Sequence, residues 1–393
     1  MTFDSYTLGE VCSFIDYRGK TPKKATTGIP LITAKIVKNG FISKPDEFIA
    51  EEDYDSWMHR GIPRKGSVIM TTEAPLGEVA RIPSDDRLAF AQRIIVLEPR
   101  QEILDAGFLY YALRDSVLMG RIKSRATGTT VTGIKAAELK KVEIDCPPIE
   151  TQKRVASLLS SLDQRIENNE SINDNLEQQA AAMFHDLFVV HADPSWSEGT
   201  ISDLGTVVGG STPSKAKPEY YTDHGIAWIT PKDLSADKSK FVSHGADDIT
   251  ELGLRNSSAS IMPRGTVLFS SRAPIGYIAI ADGEVTTNQG FKSVIPHDNI
   301  GTAFVYYFLK AALPTIEGMA SGSTFKEISG SAMRTVPAII PDDDTLRRFK
   351  SFCDPLFQQQ RTLEMQNREL AEIRDALLPR LMAGEIDVSS ITL

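Results

Sequence analysis

The chain repeats itself once, end to end, and this constrains its folding more than any single motif. Gly19-Lys20-Thr21-Pro22 returns as Gly210-Ser211-Thr212-Pro213, and Ala74-Pro75-Leu76-Gly77 as Ala273-Pro274-Ile275-Gly276. Phe108-Leu109-Tyr110-Tyr111 returns as Phe304-Val305-Tyr306-Tyr307, and Ala126-Thr127-Gly128 as Ala320-Ser321-Gly322. The offset drifts between 191 (210 minus 19) and 199 (273 minus 74) while the order holds. So long a period means a duplicated domain and not a stack of short repeats. The chain must therefore fold as two like bodies, and a molecule built that way suits two similar targets held at a set separation.

At 393 residues, with 41% hydrophobic and 24% charged residues, the chain has the size and composition of a multidomain globular protein. No apolar run is long enough to span a bilayer, and no basic-then-apolar leader opens the sequence. Three scattered cysteines (Cys12, Cys146, Cys353) fit a reducing compartment, so a cytoplasmic location is expected. The net charge of −9 is unevenly spread. Residues 1–149 carry 21 Lys/Arg against 20 Asp/Glu, and residues 194–343 carry 12 against 16. Residues 150–193 carry 3 against 8, and residues 344–393 carry 7 against 8. Neither globular copy is a strong electrostatic clamp, so a nucleic-acid role would need partners to share the phosphate grip.

Short β-branched runs bounded by Gly and Pro predict strands at 29–36, 66–71 and 94–97, and again at 226–230, 265–270 and 291–295. Helices are expected over 108–118 and 303–313, a short one over 134–138, and a strand over 142–144 before Pro147-Pro148. A long helix follows each copy. Leu159, Leu162, Ile166, Asn169, Asn173, Leu176, Ala180, Met183 and Leu187 recur at alternating three- and four-residue steps. The second copy answers with Cys353, Leu356, Gln360, Leu363, Asn367, Leu370, Arg374, Leu377 and Leu381. That is the spacing of a coiled-coil seam, and Asn173 and Asn367, at equivalent steps, are the expected register pins. The expected fold is α+β: two tandem mixed α/β domains, 1–149 and 194–343, joined by an antiparallel pair of long helices, 150–193 and 344–393, in a pseudo-two-fold dumbbell. Two amphipathic helices, each packed on its own domain, are the plainer alternative.

Catalytic chemistry is hard to find. Gly19-Lys20-Thr21 lacks the earlier glycine of a phosphate-binding loop. Glu138-Leu139-Lys140 has the spacing of a metal-dependent nuclease, but the second copy has no equivalent, and a helix-surface ion pair is the simpler reading. The six histidines show no metal-ligand spacing, and no methyltransferase or dinucleotide fingerprint occurs.

The two copies agree in turns and helix cores and differ in polar loop residues: Lys20 against Ser211, Glu73 against Arg272, Arg93 against Gly290. Two domains of one fold reading different targets would differ in this way, although ordinary drift would leave a similar trace. Gln92, Arg93, Arg272, Asn288 and Gln289 are residue types that read base edges. Thr129, Thr130, Ser323 and Thr324, beside Gly128 and Gly322, suit phosphate contacts. Lys20, Thr21, Lys23, Lys35, Thr72 and Glu73 complete the candidate DNA-binding set of the first copy. Ser211, Thr212, Lys215, Lys232 and Ser271 complete that of the second.

Over essentially its whole length the chain resembles the specificity (S) subunits of type I restriction-modification systems. The resemblance rests on the tandem arrangement and on two stretches. One is Leu139-Lys140-Lys141-Val142-Glu143-Ile144 leading to Pro147-Pro148-Ile149-Glu150-Thr151-Gln152-Lys153, and the other is Leu377-Leu378-Pro379-Arg380-Leu381-Met382-Ala383-Gly384-Glu385-Ile386. It implies a non-catalytic subunit with two target recognition domains, each reading half of a bipartite double-stranded DNA site. It also implies spacer helices that dock two methyltransferase (M) subunits, with restriction (R) subunits joining where a system has them. No cofactor is expected on this chain; S-adenosylmethionine, ATP and Mg²⁺ belong on the partners. One departure is Asp342-Asp343-Asp344 at the entry to the second helix, where a Pro-Pro sequence is expected. The rival reading is a coiled-coil scaffold whose two domains bind protein or carbohydrate.

Overall fold

The computed structural model describes residues 3–17, 21–128, 131–322 and 326–389. The chain forms two compact units, Met1–Ile166 with Glu369–Leu393 and Glu167–Arg368. A division into successive segments of sequence does not reproduce them, because each unit takes one globular part and one stretch of each long helix.

In the first unit an antiparallel sheet runs in the order Cys12–Asp16, Ile94–Pro99, Val68–Thr72, Leu76–Arg81. Its central strands are buried over Val68–Thr72 and 94–97, mostly by apolar side chains, because both faces are covered. Val68, Met70, Ile95 and Leu97 face the helices Ala106–Arg114 and Ser116–Ser124. Ile69, Ile94 and Val96 face a smaller layer built on Ile29–Ile32 and Ala89–Phe90. The strand expected over 29–36 ends at Ile32, and Ala34–Ile36 is a 3₁₀ turn. The helix expected over 108–118 is broken at Asp115, whose extended backbone ends one helix while its carboxylate accepts from the Val117 amide (3.0 Å) to start the next.

The second unit repeats the plan with one strand more, in the order Gly205–Gly209, Lys292–Pro296, Val267–Ser271, Ile275–Ala281, Phe241–Val242. Thr302–Ala311 and Leu313–Met319 cover it, with Pro314 forcing the break between them. Both copies preserve one constrained turn. Ala74 and Ala273 sit at φ 48° and 49° before cis prolines 75 and 274. The Gly77 and Gly276 that follow leave no room for a side chain, since a Cβ there would lie 2.6 Å from the Met119 sulfur or 2.7 Å from Leu313.

The long helices span Ile149–His185, continued by a π turn at Asp186–Val190, and Asp343–Met382. Asp342 accounts for the unusual entry to the second. Its carboxylate caps the helix by accepting from the Thr345 amide (2.9 Å) and hydroxyl (2.8 Å), and also receives the Trp196 indole N–H (2.9 Å). Those bonds hold its carboxyl down to about 2. Within each unit the helix stretches pair antiparallel: Asp163 meets Arg374 in the first, Asn169 meets Asn367 in the second. The two expected register residues, Asn173 and Asn367, have separate partners. Asn367 accepts a 2.8 Å bond from the Asn169 amide, while the Asn173 carbonyl receives Gln360 (3.1 Å). Residues equivalent by repetition face one another only at the centre of an antiparallel pair, and elsewhere the partner runs the other way.

A buried ionic cluster ties the globular part of each unit to its helix stretches. In the first, Asp163 accepts from Tyr111 (2.6 Å) and pairs with Arg114 (3.3 Å) and Arg374 (2.8 Å). In the second, Glu177 accepts from Tyr307 (2.8 Å) and pairs with Lys310 (2.6 Å) and Lys240. Burial alone would raise the Glu177 carboxyl, but Lys240 and Lys310 outweigh it and bring it down to about 2. Burial also lowers the Lys240 ammonium, against the pull of Glu177. With Tyr307 and Gln360 also bonding the cluster, we read it as an ionised, hydrogen-bonded pair.

Candidate nucleic-acid interface

The strand order brings widely separated loops to one end of each sheet. In the first unit the Val68–Thr72 strand leaves the sheet where Ile94–Pro99 enters it, so Glu73 lies beside Arg93 and their side chains pair at 3.0 Å. Glu73 also bridges Gly133, which in turn bridges Thr127, so the loop after the helices closes over the same spot. The Thr21 hydroxyl points at Gln92 (3.5 Å). Both members of the Glu73–Arg93 pair remain half exposed.

The second unit assembles the same pieces with the charges exchanged. Arg272 takes the place of Glu73 and pairs with Glu327 (3.3 Å), and Glu327 bridges back to Ser321 as Gly133 does to Thr127. Lys292 approaches Glu327 from the other side (3.6 Å). The Thr212 hydroxyl bonds Gln289, the counterpart of Thr21 on Gln92. The copies thus share a frame and differ in which loop supplies the acid and which the base.

Several expected site residues are elsewhere or differently employed. Thr72 and Ser271 are 2% and 0% exposed. The Thr72 hydroxyl bonds the Arg93 carbonyl (3.3 Å), and the Ser271 amide bonds the Gly290 carbonyl (2.7 Å), so both hold the frame and neither presents a hydroxyl to a ligand. The Asn288 side chain accepts from the Gly290 amide (2.8 Å), a turn-forming role. The Ser211 hydroxyl accepts from the Ser258 amide (3.3 Å). Lys35 pairs with Asp46 at 3.0 Å on the open surface. Lys23, Lys215 and Lys232 are exposed and make no ion pair among the described residues. Lys20, Thr129, Thr130, Ser323 and Thr324 lie outside the described residues. Glu327, Lys292 and Gly133 were not singled out from sequence. Glu327 follows the Ala-Ser-Gly loop at the distance of Gly133, and an acid facing a glycine across the repeat was the available signal.

The nuclease spacing dissolves in the structure. Glu138 pairs with Lys141 (2.7 Å) and Arg125 (3.4 Å), while the Lys140 ammonium lies over the Phe14 ring. Among the described residues, no three His, Cys, Asp or Glu side chains gather to hold a metal, and no helix is long and apolar enough to cross a membrane.

Comparison with known proteins agrees with this frame. The family model for the type I restriction modification DNA specificity domain matches twice, over residues 2–178 and 194–373. The chain is 38% identical to the type I restriction enzyme MjaIX specificity subunit of Methanocaldococcus jannaschii over 183 residues, 45% of this chain and 41% of that one. It is 23% identical to the HindI specificity subunit of Haemophilus influenzae over 402 aligned residues, 82% of this chain and 87% of that one. The crystal structure of a type I restriction-modification S subunit from M. genitalium has the same fold, with a TM-score of 0.60 and 20% identity over 97% of this chain and 96% of that one. With a tandem frame, paired long helices and a family match over both copies, the chain belongs to the type I restriction-modification DNA specificity family, as a specificity subunit and not an enzyme.

Proposed function

We propose that each globular part reads one half of a split double-stranded DNA site, and that the helix pair sets the distance between halves and docks two modification subunits. The carrying observation is the pair of equivalent loop ends with opposite charge layout, Glu73–Arg93 and Arg272–Glu327. An arginine offers two parallel donors to guanine, and a carboxylate accepts from cytosine, so exchanging their places changes the sequence read without changing the frame. Docking on the helices is supported by large apolar side chains facing outward: Ile172 is 45% and Met365 41% exposed. S-adenosylmethionine is then held by the modification subunits, and ATP and Mg²⁺ serve restriction subunits where a system has them.

Methylation mapping in cells bearing this chain with its modification subunits tests the reading. The expected motif is two short half-sites flanking an unread spacer, and a single continuous motif would overturn it. Arg272→Ala is expected to relax one base position in one half-site, at about 1–3 kcal/mol of discrimination. Lys215→Ala is expected to weaken binding to all sequences alike and to reduce its salt dependence.

A further inference from the structure

We propose that Lys240 is a positioning residue that fixes the angle of the second reading domain on its helix stretches, and so makes the complex intolerant of a changed spacer. The proposal rests on the split-site reading above. Lys240 lies just before the edge strand Phe241–Val242, on the globular part, yet it is only 8% exposed because it inserts between the helices. Its ammonium pairs with Glu177 of the first long helix and donates to Gln360 of the second (2.7 Å). It also lies 4.2 Å from the Phe357 ring centroid. The backbone amides of Lys240 and Phe241 both donate to the Glu364 carboxylate, at 2.8 and 3.1 Å. The adjacent residues Lys240 and Phe241 are therefore held by both helices at once.

Apolar packing tolerates small rotations, because burial has little directional preference. Charge-assisted bonds fixed at several points tolerate them poorly. The first unit provides the contrast. There the matching segment, Asn39-Gly40, offers the Gly40 carbonyl to Tyr110 (3.1 Å) and the Asn39 amide to Glu78 (3.1 Å), and among the described residues it bonds neither long helix; the buried charges of that unit come from Asp163, Arg114 and Arg374. The clamp thus belongs to the second domain.

The consequence is geometric. Adding one base pair to the spacer turns one half-site by about 35° and moves it by about 3.4 Å relative to the other. A rigidly seated domain cannot follow that turn, whereas one freed to pivot can follow part of it.

The test is methylation of plasmids whose spacer is one base pair shorter, native or one longer, by full complexes carrying Lys240→Met, Lys240→Arg or the unaltered chain. Lys240→Met keeps the stem against Phe357 and leaves Glu177 with Lys310, so the chain should still fold, as a melting curve near that of the unaltered chain would verify. Its preference for the native spacer is expected to fall about tenfold, a change of about 1.4 kcal/mol, with the half-site sequences unchanged. Lys240→Arg, which keeps the charge, is expected to retain most of that preference. Should Lys240→Met melt early, Glu364→Gln, which weakens the acceptor of the two amides, is expected to lower the preference in the same direction. Unchanged spacer preference in a folded variant would overturn the inference, as would equal loss of methylation at every site. If the unaltered complex reads a continuous motif, the split-site reading fails instead.

Discussion

Replacing Asp163 with leucine is the severest single test of how the first domain is anchored to the helices. The Asp163, Arg114 and Arg374 side chains are 9%, 16% and 13% exposed, so the cluster is nearly out of water. At 2.8 Å and an effective dielectric of about 20, the Asp163–Arg374 attraction is worth about 6 kcal/mol before desolvation. Desolvation absorbs much of that in the intact cluster, but removing the acid leaves the cations still buried. Arg374 keeps Asp375 (2.8 Å) and Arg114 keeps the Tyr110 hydroxyl (2.8 Å), which places the expected loss at the low end of the range for a broken buried pair, about 3 kcal/mol. In a unit of this size that is a fall in melting temperature on the order of 10 °C. The double variant Asp163→Leu/Arg374→Met removes both charges, and most of the loss should return. Urea unfolding of the three chains provides the cycle. A cost below about 1 kcal/mol for Asp163→Leu, or a double variant no better than the single, would refute the argument that the cluster holds by paired charge.

Three further outcomes follow from the same geometry. Replacing Asn169 and Asn367 together with leucine should stabilise the second unit by about 1–2 kcal/mol while loosening helix register, which paired spin labels along the two helices would detect as a broadened distance. Glu177, brought from 4.5 to about 2 on folding, adds stability that is fully present above pH 4.5 and is lost as pH falls toward 2. At about 1.4 kcal/mol for each pH unit this is about 3 kcal/mol, and Glu177→Gln should flatten the acid limb of a stability–pH curve. Replacing Gly276 with alanine should destabilise the second unit by at least 1 kcal/mol in thermal unfolding, because its φ of 99° and the nearby Leu313 both exclude a methyl group.

The architecture was legible because duplication and seam spacing survive any choice of loop. Leu159 and Cys353, picked out by helical spacing alone, are both fully buried. The seam partners were less accessible to sequence, since equivalence within a repeat says which residues are alike and not which ones touch. Asn367 consequently meets Asn169. The candidate site divides in a similar way. Glu73 and Arg272 were chosen for their chemistry and stand on the exposed loop end, whereas Thr72 and Ser271, one residue earlier, point into the core because side chains alternate along a strand. Lys240 carried no warning, because a lysine in a polar stretch is normally solvated. Its burial depends on long-range packing that no local pattern encodes.

The latched arginines of the two loop ends bear on how a duplex is searched. Under the split-site reading, Arg93 and Arg272, each already paired with a carboxylate, would give a passing phosphate less grip than unpaired arginines. In that reading, a base edge that replaces the carboxylate would free the guanidinium for the complex. Under the split-site reading, the latch holds back residence time at random DNA and spends it at the target, favouring rapid scanning by a protein that is itself net acidic.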